Sequence, residues 1–267
     1  MMEFLQYAFM QRAFIAGILI AIICAVIGVF LVLRRMSLMG DGLAHIAFGG
    51  IAAGMFFNTY PLLSALVFSV LAALGIQKLK EMKVYGDAAI AIFFSFGLAI
   101  GVVLVSFSHG FNADLFSYLF GSILAVSETD ILLILAVGVA TIAVIMLFYK
   151  ELFYITFDEE SARAAGIPVE RLNTMLVVLT AVAVVLSMRI VGILLVSSFI
   201  VIPASISLLL HRSFKQTIGI AGLTAVASVV VGLVMAYYLD LAAGGAIVLV
   251  LVAAFAMALV YKNLLAK

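Results

Sequence analysis

Charged residues are scarce in this chain. Asp, Glu, Lys and Arg make up 10% of its 267 residues, against 67% hydrophobic. A soluble domain carries about 25% charged and roughly 45–50% apolar residues. The deficit excludes a water-soluble globular protein and leaves almost nothing from which to build a separate soluble domain. Neither sign of charge dominates: 14 Lys and Arg against 13 Asp and Glu give a net charge of +1. Nucleic acid is therefore not an expected partner. Cysteine occurs once, at Cys24 inside an apolar run, which excludes an internal disulfide and a cysteine-rich metal cluster. The three histidines are widely separated and form no His-Glu-x-x-His pair, which argues against an intramembrane metalloprotease. No Gly-x-x-x-x-Gly-Lys-[Ser/Thr] loop is present to cradle nucleotide phosphates. The first eleven residues lack the basic region of a cleavable leader, and the first apolar stretch is long enough to span, so no removable signal is expected.

What the chain has instead is long apolar runs, with a mean hydropathy of +1.39. A membrane-spanning helix needs about 20 apolar residues. Stretches of that kind lie at 13–33, 38–57, 61–77, 88–108, 130–149, 172–188, 191–210, 217–238 and 243–261. The expectation is one all-α, polytopic domain over residues 1–267, with eight or nine transmembrane helices. The boundary near Arg189 is the weakest, because a single charge interrupts the apolar run. Alternate breaks collect the basic residues: Arg34 and Arg35; Lys78, Lys80 and Lys83; Lys150, Arg163 and Arg171; Arg212 and Lys215; Lys262 and Lys267. Positive residues mark the cytoplasmic side. The N-terminus is then expected outside and the C-terminus inside.

Within the second run, Asp41 and His45 stand four residues apart, on one face of a helix. A carboxylate at bilayer depth costs about 2.5–3.5 kcal/mol, so its presence calls for a polar path or a cation. Carboxylate with imidazole suits a borderline divalent metal such as zinc, manganese or iron. The bland alternative is a polar pair that hydrogen-bonds neighbouring helices. Ser37, Asp41, His45 and Gly49 make one i, i+4 stripe, a candidate polar track. Gly40, Gly42, Gly49, Gly50 and Gly54 crowd the same run, for close helix packing or for a hinge. Pro203 is expected to kink its helix. Of twelve methionines only Met36 and Met39 lie near the pair, so the soft-ligand pattern of monovalent copper is absent. His109, Asp114, Glu128, Asp130 and Asp240 fall on the outer side by the charge parity. They either guide cations to a mouth or are solvated loop and cap residues. His211, beside Arg212, belongs to the positive-inside signal.

Two loops exceed a simple connector. Residues 114–121 are a short amphipathic stretch ending in glycine, either an interfacial helix or a surface loop. Residues 156–170 contain Asp158, Glu159 and Glu160, then Ala162, Ala164 and Ala165, then Gly166 and Pro168. Those are start and stop signals for one short helix.

This acidic-to-Gly166-Ile167-Pro168 pattern resembles the coupling loop of ABC-importer permeases. The segment Leu31 to His45, with Ser37-Leu38-Met39-Gly40-Asp41 at its centre, is similar to the metal-type permeases, the integral subunits of zinc, manganese and iron importers. Phe148-Tyr149-Lys150-Glu151 and Val191 to Ala204 fit the same family, over nearly the whole chain. Gly42-Leu43-Ala44-His45 departs from the family's Ala-Leu-Ser-His while keeping both ligand candidates. The resemblance implies a multi-pass homodimer in a prokaryotic cell membrane, in contact with lipid. It implies separate cytoplasmic ATPase subunits and an external metal-binding protein. Asp41 and His45 would meet the metal, which is cargo and not a resident cofactor. Asp158, Glu159, Ala162, Ala165 and Gly166 would contact the ATPase. The permease itself would not be an enzyme. A rival reading is a gradient-driven secondary transporter using Asp41 and His45 as a proton or cation relay. Such carriers often have two related halves, and no second Asp-x-x-x-His occurs in the C-terminal half.

Overall fold

A computed structural model describes residues 7–108, 113–122, 127–210 and 213–265. Among them every regular element is helical. In chain order these are α1 (Ala8–Leu33), α2 (Met39–Phe56), α3 (Pro61–Glu81), α4 (Gly86–Phe107), α5 (Ala113–Phe120), α6 (Glu128–Leu147), α7 (Tyr149–Phe157) and α8 (Glu159–Ala164). There follow α9 (Val169–Val191), a single 3-10 turn (Ile193–Leu195), α10 (Val196–Leu209), α11 (Phe214–Leu239) and α12 (Ala243–Leu265). Seven of these, α1, α3, α4, α6, α9, α11 and α12, are long and apolar enough to cross a membrane. All nine expected spans coincide with helices. Two fall outside the seven for different reasons. In α2, Asp41, His45 and five glycines lower the hydropathy. In α10, the break at Gly192 shortens the helix.

Local chemistry explains most boundaries. Pro61 opens α3 where its missing N–H is no loss. Ser127 and Asp130 form a reciprocal capping box at the start of α6. The Asp158 side chain accepts from the Ser161 backbone N–H at 2.9 Å and caps α8. Gly192, at φ +84°, ends α9 in a conformation a side chain resists.

α1 and α9 form the centre, with two-thirds of their apolar windows buried, while α4, α6 and α12 lie at the periphery. Those outer helices turn large apolar side chains outward, among them Phe96, Leu132 and Leu249. A soluble monomer rarely exposes so much; in a bilayer these faces meet lipid. The two ends of the bundle are polar. At one, Arg12 pairs with Glu128. At the other, where α1 ends, Arg34 pairs with Glu159; this is the basic end.

Candidate metal site and its surroundings

α2 lies between α3 and α4 and also touches α9 and α10. Its glycines make this possible. A Cβ on Gly49 would stand 2.6 Å from the Gly97 carbonyl oxygen of α4, and one on Gly50 would stand 2.6 Å from the Ala65 Cα of α3. Real carbon atoms do not approach so closely, so the glycines serve close packing, and α2 runs unbroken from Met39 to Phe56. Gly42 admits Ile90 in the same way.

From Met39 to Gly54 every residue of α2 is buried except Asp41 and His45. Their side chains keep 39% and 16% of their exposure. The only openings in a covered helix are thus the carboxylate and the imidazole. The polar stripe from Ser37 stops at Gly49, where the backbone of α4 closes over it.

Depth follows from the neighbours. The His45 ring lies against Phe94, with centroids 4.1 Å apart. Phe94 is eight residues into α4 from its start at Gly86, about 12 Å along its axis at 1.5 Å per residue. Leu43 accepts a weak bond, 3.5 Å, from Ser69 in the middle of α3. In a hydrocarbon core about 30 Å thick, the pair sits well inside.

The imidazole is oriented. Its Nδ1 is 3.0 Å from the Asp41 backbone carbonyl and 3.8 Å from the Asp41 carboxylate. A carbonyl oxygen can only accept, so Nδ1 carries the hydrogen, and in the neutral ring the lone pair lies on Nε2. Phe94 packs against the ring as well. The result is one carboxylate and one partly exposed imidazole per chain. Among the described residues no group of three or more His, Cys, Asp or Glu could hold an ion; Asp41 and His45 are a pair.

The other candidates divide. Asp130 is fully buried. It accepts from the Tyr60 hydroxyl (2.7 Å) and from the Ser127 hydroxyl (2.7 Å) and amide (3.0 Å), with Arg189 Nε at 3.5 Å. Arg189 also lies over the Tyr118 ring, 4.5 Å from its centroid. This is a structural lock, not an open cation lure. Burial and the neighbouring carboxylate raise the Tyr60 hydroxyl above its ordinary pKa. Glu128 is taken up by Arg12. Asp240 is exposed at the left-handed end of α11. His109, His211 and the side chain of Asp114 lie outside the described residues.

The expected loop helix is α8, capped by Asp158, and a helix that was not expected, α7, runs up to it and ends at the same residue. Ala165 and Gly166 are exposed, whereas Ala162 is fully covered by the chain itself. Asp158 is exposed and Glu159 partly so. Hydrogen bonds from the Ser161 side chain and then from its N–H hold the Asp158 carboxyl below its usual range. Beside α8 lies a cavity of about 680 Å³, lined by Arg34, Arg35, Gln77, Lys80, Glu159 and Arg163 among others. Phe94 and Arg34 are the residues that sequence reasoning missed as parts of a site. Phe94 carries no signal inside an apolar span, and Arg34 reads there only as a topology marker.

Comparison with known proteins gives a consistent result. The sequence profile of the ABC 3 transport family matches residues 6–262. The manganese transport system membrane protein MntC of Halalkalibacterium halodurans is 35% identical over 97% of this chain and 89% of its own length. A probable metal transport system membrane protein of Treponema pallidum is 38% identical over 90% of this chain and 91% of its own. The structure of PsaBC from Streptococcus pneumoniae in complex with Fab superposes with a TM-score of 0.86 at 35% identity. It covers 95% of this chain and 92% of that one.

Proposed function

The chain belongs to the ABC 3 transport family, and on that footing we propose that it is the membrane subunit of an ATP-driven importer of divalent transition-metal ions. The observation that carries this reading is that Asp41 and His45 are the two uncovered residues in the otherwise buried stretch from Met39 to Gly54, well inside the bilayer. A single copy offers one negative charge to a doubly charged ion. Two copies about a twofold axis offer two carboxylates and two imidazoles, which balance the charge and supply four donors. A desolvated ion is tolerated in the bilayer only under such compensation. Manganese is the cargo favoured by the relatives' names.

The sequence holds no phosphate-cradling loop, so ATP is hydrolysed on a separate cytoplasmic subunit. The exposed face of α8 around Ala165 and Gly166 is where that subunit docks, on the basic and therefore cytoplasmic side. An external binding protein delivers the ion at the opposite end. Alternating access then opens the Asp41–His45 site to one end and next to the other. The site must bind loosely enough to release.

The deciding experiment is uptake by the reconstituted complex in vesicles, with manganese(II), zinc(II) and iron(II) offered separately with and without ATP. ATP-dependent uptake of one of them, lost in Asp41→Asn, is expected. Uptake driven by a proton gradient without ATP would replace this reading with a secondary transporter.

A further inference from the structure

Arg34 caps the C-terminus of α1, and its side chain is only 7% exposed. Its guanidinium donates to Glu159 Oε2 of α8 at 2.9 Å and also to Asn173 Oδ1 of α9. Glu159 accepts in turn from Arg163 at 3.4 Å, and Arg163 pairs with Glu170 of α9 at 2.9 Å. Among the described residues, Arg34–Glu159 is the one ion pair that joins α8 to the turn between α1 and α2. That turn is short and stiff. Arg35 takes φ +56°, Met36 N–H bonds Leu31 O at 2.8 Å, and Met39 N–H bonds Met36 O at 3.0 Å. α2 begins at Met39, and Asp41 is in its first turn.

We propose that Arg34 is a positioning residue for transport, carrying displacement of α8 into the α1–α2 turn and so to Asp41 and His45. The proposal rests on the reading of α8 as the ATPase-docking helix. A planar guanidinium with several donors grips two acceptors at once, which a lysine ammonium does with less directional hold. A buried charge cannot be left unpaired cheaply. If α8 shifts, Glu159 therefore takes Arg34 with it or strands it. Room for that shift exists, because the cavity of about 680 Å³ lies beside α8 and is walled by Arg34, Arg35, Gln77 and Lys80. The buried Gln77 Oε1 has no hydrogen-bond partner in this arrangement, an acceptor open to a rearranged cation. The pair thus gives α8 two ways to sit, gripped or released, which is what a transmitting element needs.

The test uses the complete complex in vesicles, with ATP turnover and manganese(II) and zinc(II) uptake measured in parallel. Arg34→Gln and Asn173→Ala should each retain the ATPase subunit on co-purification and keep hydrolysing ATP, because neither residue belongs to the docking face and each change loosens the grip of the guanidinium. Ions moved per ATP should fall about tenfold in Arg34→Gln, within the range of ordinary coupling effects, and by less in Asn173→Ala. Arg34→Lys should be intermediate. Wild-type ratios in both Arg34→Gln and Asn173→Ala would overturn the proposal. So would loss of the ATPase subunit from both, which would make Arg34 a brace for the docking surface. Should Arg34→Gln fail to assemble, Asn173→Ala decides, because Asn173 lies on α9, outside the docking face. If the unmodified complex shows no ATP-driven uptake, the proposed function fails first, and this proposal with it.

Discussion

At the scale of single residues, Asp41→Asn preserves shape and removes the charge that offsets the cation. Uptake should fall to background while dimer yield and thermal midpoint in detergent stay near wild type. His45→Ala should behave likewise by removing the Nε2 donor. Normal uptake at limiting metal in either variant would refute the site. Phe94→Ala removes only the surface that holds the imidazole plane. Loss of an orienting neighbour typically weakens metal affinity by about 10–100-fold. Titration of the purified complex should show that weakening, with helix content unchanged. At the opposite end, Tyr60→Phe deletes the hydrogen bond to the buried Asp130. It should cost about 1.5–3 kcal/mol, as bonds to charged groups do, read as a lower thermal midpoint. The Asp41–His45 pair was legible in sequence because charge in an apolar run is conspicuous. The partnership of Asp130 with Arg189 was not. Those residues lie 59 positions apart, and spacing along a chain says nothing about which distant helix ends meet.

At the scale of elements, α8 is the part most open to test. Ala165→Glu places a charge on its exposed face and should weaken co-purification of the ATPase subunit while the permease still inserts. Ala162→Glu is a different experiment. Ala162 is fully buried, so a carboxylate there unseats α8 from its own chain. The Asp158 cap also has a pH signature. Its carboxyl is held below the ordinary range by the Ser161 side chain and by N–H donors, so the cap is fully present above the unfolded value and fades as pH falls through the lower, folded one. α8 should therefore be indifferent to pH between 7 and 5 and loosen only in stronger acid. Hydrogen exchange of the Ser161 amide would show it; loosening already near pH 6 would contradict the assignment. All nine helices were readable as apolar runs, but only seven are marked by length and apolarity alone. The division of residues 149–164 into α7 and α8 was not, since Asp158 serves as stop for one and start for the other. Sequence alone shows an acidic cap without showing that a helix already ends there.

At the scale of the whole molecule, three remote segments touch backbone to backbone. A Cβ on Gly121 would stand 2.1 Å from Ile190 O, one on Gly192 2.5 Å from Gly121 N, and one on Gly244 1.9 Å from Val191 O. Gly121 and Gly192 also take positive φ. Gly192→Ala or Gly244→Ala should destabilise by about 1–3 kcal/mol from overpacking, with added strain at Gly192. A thermal midpoint equal to wild type would show that the contact yields. This junction ties the end of α5, the break after α9 and the start of α12. A second seam, Gly49 on Gly97, ties α2 to α4. Where main chains abut there is no side chain to swing and no rotamer to change, so each junction behaves as a weld. Further welds join α1 to α10 through Gly28 on Ile200, α2 to α3 through Gly50 on Ala65, and α11 to α12 through Gly232 on Ile247, so flexing is left to the contacts between the blocks they make. The rocking that the proposed transport cycle requires would then run along seams where no glycine brings main chains together, such as that between α3 and α9, with the welded blocks travelling as solid pieces.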